Sequence, residues 1–126
     1  MNAPRDYAEL ARQDRIHVSL YTDPDVFQDE MERIFYRSWV YVAHDSEIPN
    51  PGDYKTTFIG LIPVIVTRDA QMKIHVLINR CMHRGATVCA WEKGNTNSFQ
   101  CPYHAWEYGL DGSLKAVGMP RGYNEG

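Results

Sequence analysis

Two short segments, Cys81-Met82-His83 and Cys101-Pro102-Tyr103-His104, each set one cysteine beside one histidine, and the 17 residues Arg84 to Gln100 separate them. A fold that uses these side chains must bring two distant loops together, which restricts this chain more than any other feature. A span of 17 residues accommodates two short strands and a turn, so an intervening hairpin would return the second segment beside the first. Four donors would then converge without a helix. Mixed thiolate and imidazole donors admit zinc or an iron–sulfur cluster. A zinc finger takes two cysteines from one knuckle and two histidines from a helix. Here each loop supplies one of each, and no helical pattern surrounds either histidine, which favours iron.

The pattern suits two irons side by side, one on the thiolates of Cys81 and Cys101 and the other on the imidazoles of His83 and His104. That is the Rieske arrangement of a [2Fe–2S] cluster. Cys81-x-His83-Arg84-Gly85, followed by Cys101-Pro102-Tyr103-His104-x-Trp106, resembles the Rieske motif of aromatic ring-hydroxylating oxygenase large (alpha) subunits. The similarity extends to Asn79-Arg80, Tyr108, Asp111-Gly112, and upstream to Glu32-Arg33-Ile34-Phe35, Trp39, His44, Ile48-Pro49 and Pro51-Gly52-Asp53-Tyr54, so it covers about residues 20–122.

The resemblance implies a mostly β fold. An antiparallel Rieske domain with two ligand-bearing hairpin loops would span residues 39–126, incomplete at its C-terminal end, behind a helical arm over residues 1–38. It also implies one-electron transfer that feeds a mononuclear non-heme Fe(II) site in a catalytic domain absent from this chain. The parent enzyme would be a dioxygenase that hydroxylates an aromatic compound with O2 and NAD(P)H-derived electrons. Its partners would be a reductase or ferredoxin donor, the catalytic domain of a neighbouring large subunit, and small (beta) subunits in a trimer-based oligomer. A lean toward aromatic carboxylates such as anthranilate, salicylate or benzoate follows from the cluster region. The rival readings are a free-standing Rieske ferredoxin and a zinc-stabilised interaction module; the helical arm favours the large subunit over the ferredoxin.

Two neutral imidazoles in place of thiolates remove negative charge from the cluster and make it easier to reduce. High-potential members of the wider family add a loop disulfide, at positions filled here by Ala86 and Tyr103, and a serine donor, at the position filled by Trp106. With those absent, the expected midpoint lies at the low end of the Rieske range, about −150 mV. Each ligating imidazole would present its second ring N–H outward to a partner carboxylate.

The rest of the chain narrows the alternatives. Its 13 Lys+Arg against 16 Asp+Glu give a net charge of −3, which argues against a basic nucleic-acid binder. The longest apolar run, the nine residues Phe58 to Val66, is broken by Gly60 and Pro63 and is shorter than the roughly 18 residues of a membrane span. No secretory pattern opens the chain, so a cytoplasmic location is expected. With three cysteines, Cys89 is left over, and packing is the simpler role for a small apolar side chain. His44 and His75 read as loop and strand residues. Asp14-x-x-His17 matches half of a mononuclear-iron motif by accident. Thr22-Asp23-Pro24 marks a helix start, with Val26, Phe27, Met31, Ile34 and Phe35 as its apolar stripe. Trp39 to Ala43, Pro63 to Thr67 and Lys73 to Ile78 read as strands. Reversals are expected at Asp69-Ala70-Gln71, Gly94-Asn95 and Asp111-Gly112.

Overall fold

The computed structural model describes residues 6–123, which gather into two compact units divided between Val40 and Tyr41. In the first unit, a short helix α1 (Ser19–Thr22) leads into α2 (Pro24–Glu30). The Asp23 carboxylate accepts the Asp25 N–H at 2.9 Å, and Pro24 occupies the first helical position, where its missing N–H costs nothing. The helix runs on as a wider π-type turn, Met31–Phe35. Val26 and Met31 are buried, while Phe27, Ile34 and Phe35 stay exposed, because so small a unit offers too little apolar surface to cover the whole stripe.

The second unit holds two antiparallel sheets. Strands β1 (Asp53–Ile59), β2 (Ile62–Arg68), β3 (Ile74–Ile78) and β4 (Lys93–Asn95) form the first, in the order β3-β2-β1-β4. Strands β5 (Ser98–Gln100), β6 (Glu107–Gly109) and β7 (Leu114–Ala116) form the second, in chain order. The expected reversals at Asp69-Ala70-Gln71 and Asp111-Gly112 join β2 to β3 and β6 to β7; Gly112 adopts the left-handed conformation that such a turn demands (φ 82°). The core lies where the sheets meet. Tyr54 and Ile65 from the first sheet close on Phe99 from the second and on Cys89, with the Tyr54 and Phe99 rings edge-to-face at 5.2 Å. Cys89 therefore packs, as its surroundings in the sequence suggested.

Three expectations are corrected. Trp39 to Ala43 is not a strand, and Trp39 is fully exposed: β-propensity describes fit to a pleated surface, and this segment pairs with no strand among the described residues. Gly94-Asn95 is not a turn but lies inside β4. A Cβ at Gly94 would stand 2.7 Å from the Tyr54 hydroxyl, so the glycine serves close approach, while the Asn95 amide donates to Pro51 O and Asp53 Oδ1. The span between the two cysteine–histidine segments is consequently no hairpin. Its strands β4 and β5 pair with β1 and β6 respectively, and the chain crosses from one sheet to the other between them.

Buried Arg68 anchors the entry to this unit. Its guanidinium donates to Ile48 O at 2.6 Å and Met72 O at 3.0 Å, and pairs with Asp45 at 2.7 Å. His44 caps the short turn Asp45–Glu47, accepting the Ser46 N–H, and His75 pairs with Asp69 at 2.7 Å; both are structural, as expected. No helix of the described residues is long and apolar enough to cross a membrane.

Candidate metal centre

The first segment leaves β3 and the second links β5 to β6, and both fold into the same ring. The Cys81 N–H donates to Ala86 O and the Gly85 N–H to Cys81 O, each at 2.8 Å. Likewise the Cys101 N–H donates to Trp106 O at 2.8 Å and the Ala105 N–H to Cys101 O at 3.0 Å. The fifth residue of each ring is left-handed: Gly85 at φ 74°, as its identity suggested, and Ala105 at φ 56°, which nothing in its identity signals. Within these rings Cys81 and Cys101 are buried, and all three cysteines are free.

The loops bring the four side chains together as two pairs. The Cys81 thiol meets the Cys101 thiol, and the His83 and His104 rings stand edge-to-face at 4.8 Å. Among the described residues no three His, Cys, Asp or Glu side chains gather as a single ion would need. A thiolate pair beside an imidazole pair is the division that a two-iron cluster uses. His83 Nδ1 is buried and has no hydrogen-bond partner, an arrangement that is costly for an ordinary imidazole but natural for a nitrogen that binds metal. The residues therefore fit a [2Fe–2S] group.

Electrostatics at Cys81 and His104 favours the ligand forms. Burial alone would push the Cys81 thiol up. The Tyr108 hydroxyl, the His83 N–H, the Cys101 thiol and the Arg84 N–H outweigh it, so the thiol sits below its ordinary value. Burial first, then the charges of His83 and Arg84, hold His104 below the ordinary histidine value, which keeps its ring neutral. Tyr108 is pushed the other way, by burial and by its bond to Cys81.

Tyr108 entered the sequence reading only through the family resemblance, with no role assigned, yet it contacts the donor atoms directly. Its hydroxyl lies 3.2 Å from Cys81 Sγ and accepts the Met82 N–H at 3.0 Å. The available signal was its place four residues after His104, just inside the strand that follows the second ring. Trp106 itself, where a serine donor is lacking, lies parallel to the His83 ring at 5.0 Å and 7°. Asn79 is a second residue whose part was unforeseen. Buried ahead of the first ring, it donates to Cys89 O at 2.7 Å and accepts from Val88 N at 3.1 Å and Cys89 N at 2.9 Å. His17 faces Ser19 and Asp14 pairs with Arg15, in keeping with an accidental half-motif.

The Rieske [2Fe–2S] domain family matches residues 38–122. The large subunit of anthranilate 1,2-dioxygenase from Acinetobacter baylyi is 47% identical over 111 residues, covering 88% of this chain and 24% of that protein. The alpha subunit of N,N-dimethyl phenylurea N-demethylase from Sphingobium sp. is 52% identical over 101 residues, covering 80% of this chain and 22% of that protein. The structure of naphthalene 1,2-dioxygenase from Rhodococcus sp. superimposes with a TM-score of 0.78 at 45% identity, over 82% of this chain and 24% of that one. The chain thus spans about a quarter of the length of the curated relatives it matches.

Proposed function

This chain belongs to the Rieske [2Fe–2S] domain family, as the N-terminal portion of the large subunits it resembles, and from that footing we propose that Cys81, His83, Cys101 and His104 hold the cluster. Bound there, the cluster takes up and releases one electron at a time. The observation that carries the assignment of ligands is the meeting of two like-closed rings that set a buried thiol pair beside an imidazole pair with an unpartnered Nδ1. The chain's own residues hold the Cys81 thiol low through Tyr108 and two backbone N–H groups, keep His104 neutral, and cover His83 with the Trp106 indole.

On this reading residues 39–126 form the Rieske domain behind a helical arm, and a catalytic domain with mononuclear non-heme iron belongs to the longer protein. The electron goes on to that iron in a dioxygenase acting on an aromatic compound, and comes from NAD(P)H through a reductase or ferredoxin. The acceptor domain belongs to a neighbouring large subunit of a trimer-based oligomer, with or without small subunits. Relatives named for ring dioxygenation and for N-demethylation share this region equally well, so it is the electron relay, and not the substrate, that these residues encode.

Anaerobic purification of the full-length protein with quantification of iron and acid-labile sulfide tests the reading. Two of each per chain, visible colour and a reduced-state electron paramagnetic resonance signal are expected, and Cys81→Ser or His83→Ala removes the signal. A colourless protein holding zinc, or iron without sulfide, refutes it.

A further inference from the structure

The loop hydrogen bonds fix the backbone of each ring but not the planes of the two imidazoles, because the terminal torsion of histidine is broad. Something else must orient them, and residues 117–123 pass both. A Cβ added at Gly118 would stand 2.2 Å from the His104 carbonyl oxygen and 3.3 Å from Ala105 Cβ, so only glycine lets the chain lie this close to the second ring. Directly after it, Met119 is held left-handed at φ 52° and ψ 58°, a conformation that a side chain with a Cβ rarely adopts. The turn Pro120–Gly122 then brings Tyr123 round to the first ring. There the Trp106 indole N–H donates to the Tyr123 hydroxyl at 3.0 Å, and the Tyr123 ring stands edge-on to Trp106 at 5.8 Å and to His83 at 6.3 Å.

We infer that residues 117–123 are a strap that orients the His83 imidazole, Gly118 letting the strap lie against the His104 carbonyl and Tyr123 pinning the indole against which His83 lies. The inference rests on the reading that these histidines are ligands. Gly118 and Tyr123 are positioning residues: neither supplies a donor, and each acts through a neighbour. An indole whose N–H is tied cannot rock in its own plane, so His83 faces a fixed wall. Orientation of this kind sets how well a ring lone pair points at its metal.

The test uses the full-length protein with Tyr123→Phe, Trp106→Phe, their combination, and Gly118→Ala. The readouts are the g-values of the reduced cluster, visible circular dichroism of the oxidised one, and the rate of bleaching under a chelator. Tyr123→Phe is expected to retain iron and sulfide, shift the g-values, and bleach about fivefold faster, the equivalent of roughly 1 kcal/mol for one lost hydrogen bond. In a Trp106→Phe background the same change should add nothing, because the indole N–H it serves is gone. Gly118→Ala should move the same signals further, and if that variant does not fold, Tyr123→Phe decides alone. Unchanged g-values and bleaching in Tyr123→Phe overturn the strap, as does an effect equally large in the Trp106→Phe background. A parent protein without iron and sulfide overturns the cluster assignment itself, a result that is distinct from either.

Discussion

Replacing Tyr108 with phenylalanine removes one oxygen atom from the site and leaves the ring. The hydroxyl lies 3.2 Å from Cys81 Sγ, and the Met82 N–H donates into it at 3.0 Å, which polarises its proton toward the sulfur. Reduction adds a negative charge, so the bond is stronger in the reduced state and its loss must lower the midpoint potential. A hydrogen bond to a charged group is worth about 1.5–3 kcal/mol net, and if roughly 1 kcal/mol of that develops on reduction, the shift is about 40 mV at 59 mV per tenfold for one electron. Met82 is exposed, so water can take up its freed N–H and no fold cost obscures the result. Redox titration of Tyr108→Phe beside the parent, followed by visible circular dichroism, measures the shift. An unchanged midpoint, or one that rises, refutes the assignment of this hydroxyl as a donor to the ligand sulfur.

Three further outcomes follow from the packing and charges. Asn79→Ala strands the buried N–H and C=O of Cys89 and the N–H of Val88, and should cost about 3 kcal/mol in chemical unfolding; a cost below about 1 kcal/mol contradicts the bracing role. Gly85→Ala meets no nearer atom than Arg80 Cδ at 3.8 Å, so only its left-handed φ of 74° is penalised, by about 1–2 kcal/mol in the same assay, with the cluster retained; loss of the cluster would point to a clash that the geometry does not contain. Acid should destabilise the second unit through its depressed carboxylates, Glu47, Asp53, Asp69 and Asp111. Hydrogen bonds from Lys55 and the His44 N–H hold Glu47 at about 2 against an ordinary 4.5, and His75 holds Asp69 below its ordinary value. A depressed folded value stabilises above the ordinary value and is lost as pH falls through the folded one, so thermal midpoints should drop between pH 4.5 and about 2, and less steeply in Glu47→Gln. Equal slopes in parent and variant would remove Glu47 from the account.

The parts of this fold that sequence disclosed are those governed by local chemistry. Asp23-Pro24 starts a helix because a carboxylate and a proline suit the first turn whatever lies around them, and Asp111-Gly112 turns because glycine tolerates φ 82°. The four donors and their loops were legible for the same reason: residue type and spacing are the chemistry of a metal site. What stayed hidden depends on neighbours far away in the chain. Gly94 looks like a turn residue until the Tyr54 ring is laid against it, and Trp39 to Ala43 looks like a strand although it lacks a strand partner among the described residues. Tyr108 and Trp106 were visible as aromatics near the site, but whether an aromatic shields, stacks or donates is decided by where its hydroxyl or face ends up. Gly118 and Asn79 gave no signal of their own, since what each does is fixed by backbone atoms of another segment.

Each cysteine opens a knot that ties itself off within six residues, Cys81 to Ala86 and Cys101 to Trp106, by bonds that never leave the knot. The stretch linking them is thereby relieved of any duty toward the metal: its length answers only to the journey from one sheet to the next. Insertions after Asn95 and before Ser98 can lengthen that journey while both knots keep their backbone shape, but the aim of the donors stays with aromatic neighbours outside their own knot. The number of residues between the pairs is thus a record of architecture, while each knot carries its own backbone shape and borrows its aim.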